Sequence, residues 1–543
     1  MTRDTEPTAT RRNVLKTTAA ALTMGALGTP AAAATEGLSP PADAAAGLLG
    51  FDPDGVDADL TVIERHGHPS WIVTTTDDGL VDLAGESPDD DAGWIAGGEE
   101  RYEIARDADA NMVTVAAPPG DIGVTTLDRT LNRGLLTESY VESVALDIEM
   151  AYPEPIGEVA ESRFDPTANL SRWASFRVNE GGLSAGLAYD DDMPAATLSD
   201  VREVTNADDT SLGGALFDTS NLTIGVLDTG VNAGSVFDDS TGSTRIVSAS
   251  KNFISGETVG DAGVTAVADG SSHGTWVTSC IAGDPADSTY ESYAPAADIL
   301  ACKTLSDSGS GSASDIAMAV RYAVDNGADV LVMSLGSATF NEPLAEAVGY
   351  AHEEGVPCVV AAGNSRHTVR WIASPADAEK AVTVTASTAE PADDAKSAAF
   401  SQVDPDPGTT DLSGGETAGS HVDVVAPGCK ITVQTPSALS QLTGTSMAAP
   451  VVAGGIMQLY AADSGPKGDV EATKERLAYA APAPKIGETE AAHGMLDVAG
   501  AIDEVEADET QTEARTDTAA ARDAAHRQLS DMQGGRIARF LSR

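Results

Sequence analysis

Four short blocks place reactive or polar side chains at the ends of apolar runs. Ile224-Gly225-Val226-Leu227-Asp228-Thr229-Gly230 delivers one carboxylate from a strand-like run into a Thr-Gly turn. His273-Gly274-Thr275-Trp276-Val277 follows a Gly/Ser-rich loop and opens a helix; of eight histidines, only this one has so small and tightly turned a context. Ala361-Ala362-Gly363-Asn364-Ser365 ends a strand with a carboxamide, which can donate a hydrogen bond to a developing oxyanion. Gly444-Thr445-Ser446-Met447-Ala448-Ala449-Pro450 sets a hydroxyl at a helix start, where the dipole and free N–H groups favour negative charge. Gly444, Ala448 and Ala449 are small enough to let another backbone approach. Pro450 is expected in the first turn, where its missing N–H has no partner to lose. Taken singly, each block also suits a plain turn, cap or core residue.

These blocks need a scaffold that brings strand ends together. From Leu222 onward, apolar runs at Thr223–Leu227, Asp298–Cys302, Asp329–Met333, Pro357–Ala362 and Ala381–Val384 alternate with helical stretches at Ser314–Asn326 and Pro343–Glu354. Unbroken apolar runs alternating with helices predict βαβ units and a parallel sheet covered on both faces. Ligand chemistry then belongs at the carboxyl ends of the strands.

In the order Asp…His…Asn…Ser, the four blocks closely resemble the subtilisin-like serine proteases, and in particular the secreted halolysin-type enzymes of haloarchaea. The order differs from those of chymotrypsin-like enzymes and α/β-hydrolases. An Asp-Thr-Gly also serves aspartic proteases, but those need a pair and this chain has one. The resemblance spans roughly Leu222 to Ala501. It extends to Tyr293-Ala294-Pro295-Ala296-Ala297, Cys302-Lys303-Thr304-Leu305, Ser334-Leu335-Gly336, Phe400-Ser401 and Val425-Ala426-Pro427-Gly428. It implies a three-layer α/β fold with a mostly parallel central sheet. It also implies Ser446 as nucleophile, His273 as general base and acid, and Asp228 as the group that orients the imidazole. Asn364 and the Ser446 N–H would form the oxyanion hole, and Ser334, Leu335 and Gly336 the substrate-binding strand, which takes extended peptide by strand addition. The chemistry would be acyl transfer to water on protein or peptide substrates. A narrow-specificity processing peptidase and a non-catalytic binding protein on the same fold are the alternatives.

Two departures stand out. Trp276-Val277-Thr278-Ser279-Cys280 replaces the family's usual run after the histidine, and Cys280, about two turns on, is expected on the His273 side, either altering helix packing or making the enzyme thiol-sensitive. Ser365-Arg366-His367 follows Asn364 and is expected to bring positive charge to the cleft rim. No cofactor is implied for the chemistry. The family's structural Ca2+ remains an expectation without assigned ligands; the loop Asp284–Ser288 supplies oxygens, but acidic residues are everywhere in this chain. Four cysteines, none in a C-x-x-C pair, read as buried thiols rather than a disulfide scaffold.

The 543 residues carry 84 Asp+Glu against 32 Lys+Arg, a formal net charge of −52. Such a chain is repelled by nucleic acid and by anionic membrane surfaces. Only nine of the basic residues are Lys, against twenty-three Arg, and the excess of Asp/Glu, Ala and Gly suits a salt-loving habitat. At molar salt the Debye length is about 3 Å, so self-repulsion is screened. Aromatic residues make up only 4%, so small apolar side chains must fill much of the core. No apolar run is long enough to span a membrane.

Residues 1–34 have the charged, apolar, small-residue order of a signal peptide; Arg11-Arg12 before Val14-Leu15-Lys16 points to twin-arginine export, with cleavage near Ala34. Residues 35–50 read as linker. Residues 51–150 read as a small α+β module with strands near Leu60–Ile63, Trp71–Val73, Met112–Val115 and Val141–Ile148, in the position of a propeptide that would act as intramolecular inhibitor of a zymogen. Residues 151–215 read as connector and start of the mature region, 216–502 as the peptidase domain, and 503–543 as a charged tail. The expected product is a secreted, extracellular monomer.

Overall fold

The computed structural model describes most of residues 62–122, residues 140–152, 187–188 and 193–208, and most of residues 216–504. The expected signal peptide and linker and nearly all of the expected C-terminal tail lie outside the described residues.

The N-terminal module forms a sheet of β1 (His68–Thr75), β2 (Tyr102–Asp107), β3 (Met112–Ala116) and β4 (Val141–Leu146), in the order β4-β1-β3-β2 and antiparallel throughout. Its pleat sends alternate side chains to opposite faces. Trp71, Val73, Val113 and Val115 join a small core with Leu80 and Leu83. Ile72 and Met112, from the intervening positions, join the core of the larger domain instead. Of the expected strand Leu60–Ile63, the first two residues lie outside the described residues, and Val62 forms an isolated bridge to Ile148. The chain then continues into β5 (Glu149–Ala151).

The large domain is built on β6 (Thr223–Asp228), β7 (Asp298–Lys303), β9 (Val330–Met333), β10 (Cys358–Ala361), β11 (Val382–Ser387) and β12 (Val424–Pro427), with a short β8 (Ser310–Ser312) outside the sheet. The order is β7-β6-β9-β10-β11-β12, all parallel. Helices cover both faces. On one side α1 (His273–Ala282) and α4 (Thr445–Ala462) pack against Ile224, Val226, Val330, Val332 and Val359. On the other, α2 (Ala313–Asp325) and α3 (Glu342–Glu353) pack against Leu227, Leu331, Met333 and Val360. Neighbouring residues of one strand thus enter opposite layers, which is why the runs are apolar without alternation. Gly225 belongs to the same logic: a Cβ there would lie 2.4 Å from Leu331 Cδ2.

Caps set the helix starts. Ser312 accepts from the Asp315 N–H ahead of α2, and Asn341 from the Leu344 N–H ahead of α3, each satisfying a donor the helix leaves open. In α4, every residue from Thr445 to Tyr460 is buried. A helix buried all round must pack on every side, and Ala448, Ala449, Ala453, Gly454 and Gly455 make that close packing possible. The four cysteines are all buried and no disulfide links them. Burial pushes the thiols of Cys302 and Cys358 up to about 12.

Candidate active site

β6 ends at Asp228, 1% exposed at the carboxyl edge of the sheet. Its Oδ1 accepts the Thr229 N–H at 2.7 Å and lies 2.8 Å from His273 Nδ1; Oδ2 is 3.0 Å from the same nitrogen. A buried carboxylate on Nδ1 holds the imidazole in the tautomer that leaves Nε2 able to take a proton. His273 Nε2 is buried, with no hydrogen-bond partner among the described residues.

His273 is the first residue of α1, and Asp269 builds that helix start. Its Oδ1 accepts the N–H groups of Ser271 and Ser272 and the Thr229 hydroxyl; its Oδ2 accepts the N–H and hydroxyl of Thr275. The Thr229 hydroxyl in turn accepts the Gly274 N–H at 2.9 Å. One carboxylate therefore ties the end of β6 to the start of α1, fixing Asp228 and His273 relative to each other. Nothing in the sequence singles out Asp269. Its signal was an Asp four residues before a helix-opening His, which is indistinguishable from any other acidic loop residue in so acidic a chain. Gly274 is required by contact: a Cβ would lie 2.3 Å from the Gly230 carbonyl oxygen.

Ser446 is the second residue of α4, fully buried. Its Oγ lies 3.5 Å from the Ser334 carbonyl oxygen, and the Ser334 hydroxyl donates to the Ser446 carbonyl at 3.0 Å. That second bond corrects the reading of Pro450. The proline lies inside α4, beyond the first turn, where its ring nitrogen cannot bond the carbonyl four residues earlier. That carbonyl belongs to Ser446, and the Ser334 hydroxyl satisfies it instead. The nucleophile candidate and the candidate substrate strand are locked together by the gap the proline leaves.

Asn364 follows β10 and is half-buried. Its Oδ1 accepts both the N–H and the hydroxyl of Thr445, each at 2.9 Å, and the Thr445 hydroxyl accepts the Gly363 N–H at 3.1 Å. The acceptor end of the amide is thereby held, and its donor end is turned away from Thr445. Gly444 leaves room for it, since a Cβ there would lie 3.0 Å from Asn364 Nδ2.

Two expectations fail. Arg366 brings no positive charge to the rim: it is 2% exposed and pairs with the fully buried Glu490 at 2.7 Å. The desolvation cost of a guanidinium in this interior is met by that carboxylate and by acceptors at Ser397 and Ser401. His367 lies outside the described residues. Nor does Cys280 present an accessible thiol: it is fully buried in the α1–α4 core, where it serves helix packing, and burial drives its pKa well above the usual thiol range.

The groove already holds peptide. β5 pairs antiparallel with β8, Gly311 opposite Met150, while Ala151 exchanges both backbone bonds with Gly336, at 3.2 and 2.8 Å. The Tyr152 N–H donates to the Gly309 carbonyl at 3.2 Å, and its ring stacks on the His273 ring with centroids 4.1 Å apart and planes 7° apart. Asp284–Ser288 does not form a carboxylate cage: Asp287 accepts the Thr289 N–H, and among the described residues no three His, Cys, Asp or Glu side chains gather to hold a metal.

An aspartate-bound histidine opening one helix, a serine at the start of a second helix packed against the first, and an asparagine anchored to that serine's neighbour, at the carboxyl edge of a parallel sheet, form the arrangement of a serine hydrolase. The comparisons with known proteins narrow the class. The subtilase family model matches residues 219–514, and the chain belongs to that family. It is 33% identical over 239 residues to subtilisin DY of Bacillus licheniformis, covering 43% of this chain and 75% of that protein. It is 38% identical over 212 residues to thermitase of Thermoactinomyces vulgaris, covering 39% of this chain and 68% of the relative. The fold is similar to the crystal structure of fervidolysin from Fervidobacterium pennivorans, a keratinolytic enzyme related to subtilisin, with a TM-score of 0.56 at 19% identity over 81% of this chain and 62% of that one. The protein is a subtilisin-like serine endopeptidase.

Proposed function

We propose that the chain is an exported, salt-dependent zymogen in which Ser446 is the nucleophile, His273 the general base and acid, Asp228 its orienting carboxylate, and Asn364 with the Ser446 N–H the oxyanion hole. The observation that carries this reading is the buried His273 Nδ1–Asp228 pair, held at 2.8 and 3.0 Å at the start of α1, which packs against the helix that Ser446 opens. The Ser446 hydroxyl attacks the peptide carbonyl while His273 Nε2 takes its proton. Asn364 Nδ2 and the Ser446 N–H stabilise the oxyanion. The tetrahedral intermediate then collapses, the C–N bond breaks, and His273 returns the proton to the leaving amine. Water, activated by the same imidazole, releases the acyl group and regenerates the serine. Ser334, Leu335 and Gly336 hold the substrate as an added strand. No step passes through a metal.

The N-terminal module acts as an intramolecular inhibitor, supported by β5 lying between β8 and Gly336 and by Tyr152 covering the imidazole. Export by the twin-arginine route rests on Arg11-Arg12 and the following apolar stretch, and salt dependence on the net charge of −52. Among the described residues no helix is long and apolar enough to cross a membrane. A fluorophosphonate probe tests the site. At molar salt the matured protein should label and Ser446→Ala should not. Equal labelling of both, or of neither, sinks the assignment, and labelling of neither favours the non-catalytic binding protein.

A further inference from the structure

The residue stacked on His273 sits in a shaped place. One face of the Tyr152 ring lies on the imidazole. Its Cδ1–Cε1–Cζ edge lies against Gly309, at φ +88°, where a Cβ would come within 2.2 Å of Cε1. The Ser271 hydroxyl lies 3.4 Å from the phenol oxygen. An imidazole face, a bare Cα and a hydroxyl at the far end together bound a slot for a flat ring. A slot with a glycine wall excludes nothing by charge, but only a planar side chain uses the imidazole face fully.

The strand register says which substrate residue enters it. Ala151 is bonded in both directions to Gly336. In an antiparallel pair, the residue two further along the peptide faces Ser334, whose carbonyl lies 3.5 Å from Ser446 Oγ. A peptide bound in this register therefore presents to Ser446 the residue immediately after the one in the slot.

Building on the proposed role of Ser446, we propose that this endopeptidase selects peptides with an aromatic residue, tyrosine before phenylalanine, directly before the residue whose carbonyl is attacked. Tyr152 holds the cleft shut by filling the same slot. Stacking of this kind favours the aromatic roughly 3- to 10-fold over leucine in kcat/KM.

The test uses enzyme matured from the full chain, at molar salt, on four fluorogenic peptides that differ only at that residue: Tyr, Phe, Leu and Ala. The expected order of kcat/KM is Tyr, Phe, Leu, Ala. Ser271→Ala should erase the margin of Tyr over Phe while keeping that of Phe over Leu. Gly309→Ala should close the slot and reverse the order toward Ala; should that variant misfold, Ser271→Ala still decides the matter. Equal rates for all four peptides, a wild-type preference for Ala, or an unchanged Tyr margin in Ser271→Ala overturns the slot. So does failure to cut any of the four while the fluorophosphonate still labels Ser446. Loss of both cutting and labelling overturns the assignment of Ser446 instead.

Discussion

Asn364 depends on Thr445 for its aim. With its oxygen held by two donors from Thr445, the amide rotates little, and in the proposed oxyanion role its nitrogen would act without a reorganisation cost. Asn364→Ala is expected to lower kcat roughly 100- to 1,000-fold with little change in KM, the range typical of a lost oxyanion donor. Steady-state kinetics on a single peptide distinguish this from a binding defect, which would raise KM instead. The residue scale is also where sequence reading was most complete. The proposed site residues Asp228, His273, Asn364 and Ser446 stood out because each stands in a short block of small residues, and small residues are what a crowded catalytic turn would demand. Arg366 was misread because a charged residue in a loop gives no sign of burial; its partner Glu490 is 124 positions away.

At the level of elements, α4 and β9 meet through a compensation. Pro450 removes the donor for the Ser446 carbonyl, and the Ser334 hydroxyl replaces it. Ser334→Ala should therefore leave a buried carbonyl unbonded and destabilise the protein by about 1–2 kcal/mol. In a Pro450→Ala background the helix can supply its own N–H, and the same substitution should cost clearly less. Denaturant unfolding of the four proteins, all carrying Ser446→Ala to prevent autolysis, measures the coupling. Equal costs in the two backgrounds would show that the two bonds are independent.

The contact between module and domain is proton-linked. Asp147, which follows β4, accepts the N–H and hydroxyl of Ser314 at the start of α2, and burial raises its pKa to about 6; Asp315 adds to the rise, while Arg65 and the Ser314 bonds oppose it. Fully buried, Asp147 holds its proton more tightly here than when solvated. Its contribution is thus fully present below the ordinary carboxylate value of 3.8 and is lost as pH rises through about 6. The docked module should loosen as pH climbs from about 4 to about 6. Limited proteolysis of the Ser446→Ala chain at fixed salt would show it as faster module release at the upper end.

Across the whole molecule, the charge of −52 is a surface property. Among the described residues the interior takes charges of both signs equally: Arg202, Arg245, Lys303 and Arg366 are buried, and so are Asp147, Asp228, Asp269 and Glu490. Burial therefore does nothing to relieve the acidic excess, which stays on the surface. Dilution from molar salt to ~0.1 M lengthens the Debye length from about 3 to about 10 Å and unmasks that repulsion. The melting temperature of the Ser446→Ala chain should fall steeply over this range, and an unchanged value would remove the case for salt adaptation.

By itself the sequence determined the layered fold and pointed to the four candidate positions. Apolar runs of strand and helix length are local patterns, and so are the small-residue turns that carry the site. Only the tertiary structure decided what each charge does and what fills the groove. Asp269 became the joint between β6 and α1, Arg366 left the rim for the interior, and Pro450 became the reason for the Ser334 bond. Tyr152, in a stretch without any pattern, came to rest on His273. Each of these depends on partners distant in the chain, and no local spacing encodes which distant groups a compact fold will press together.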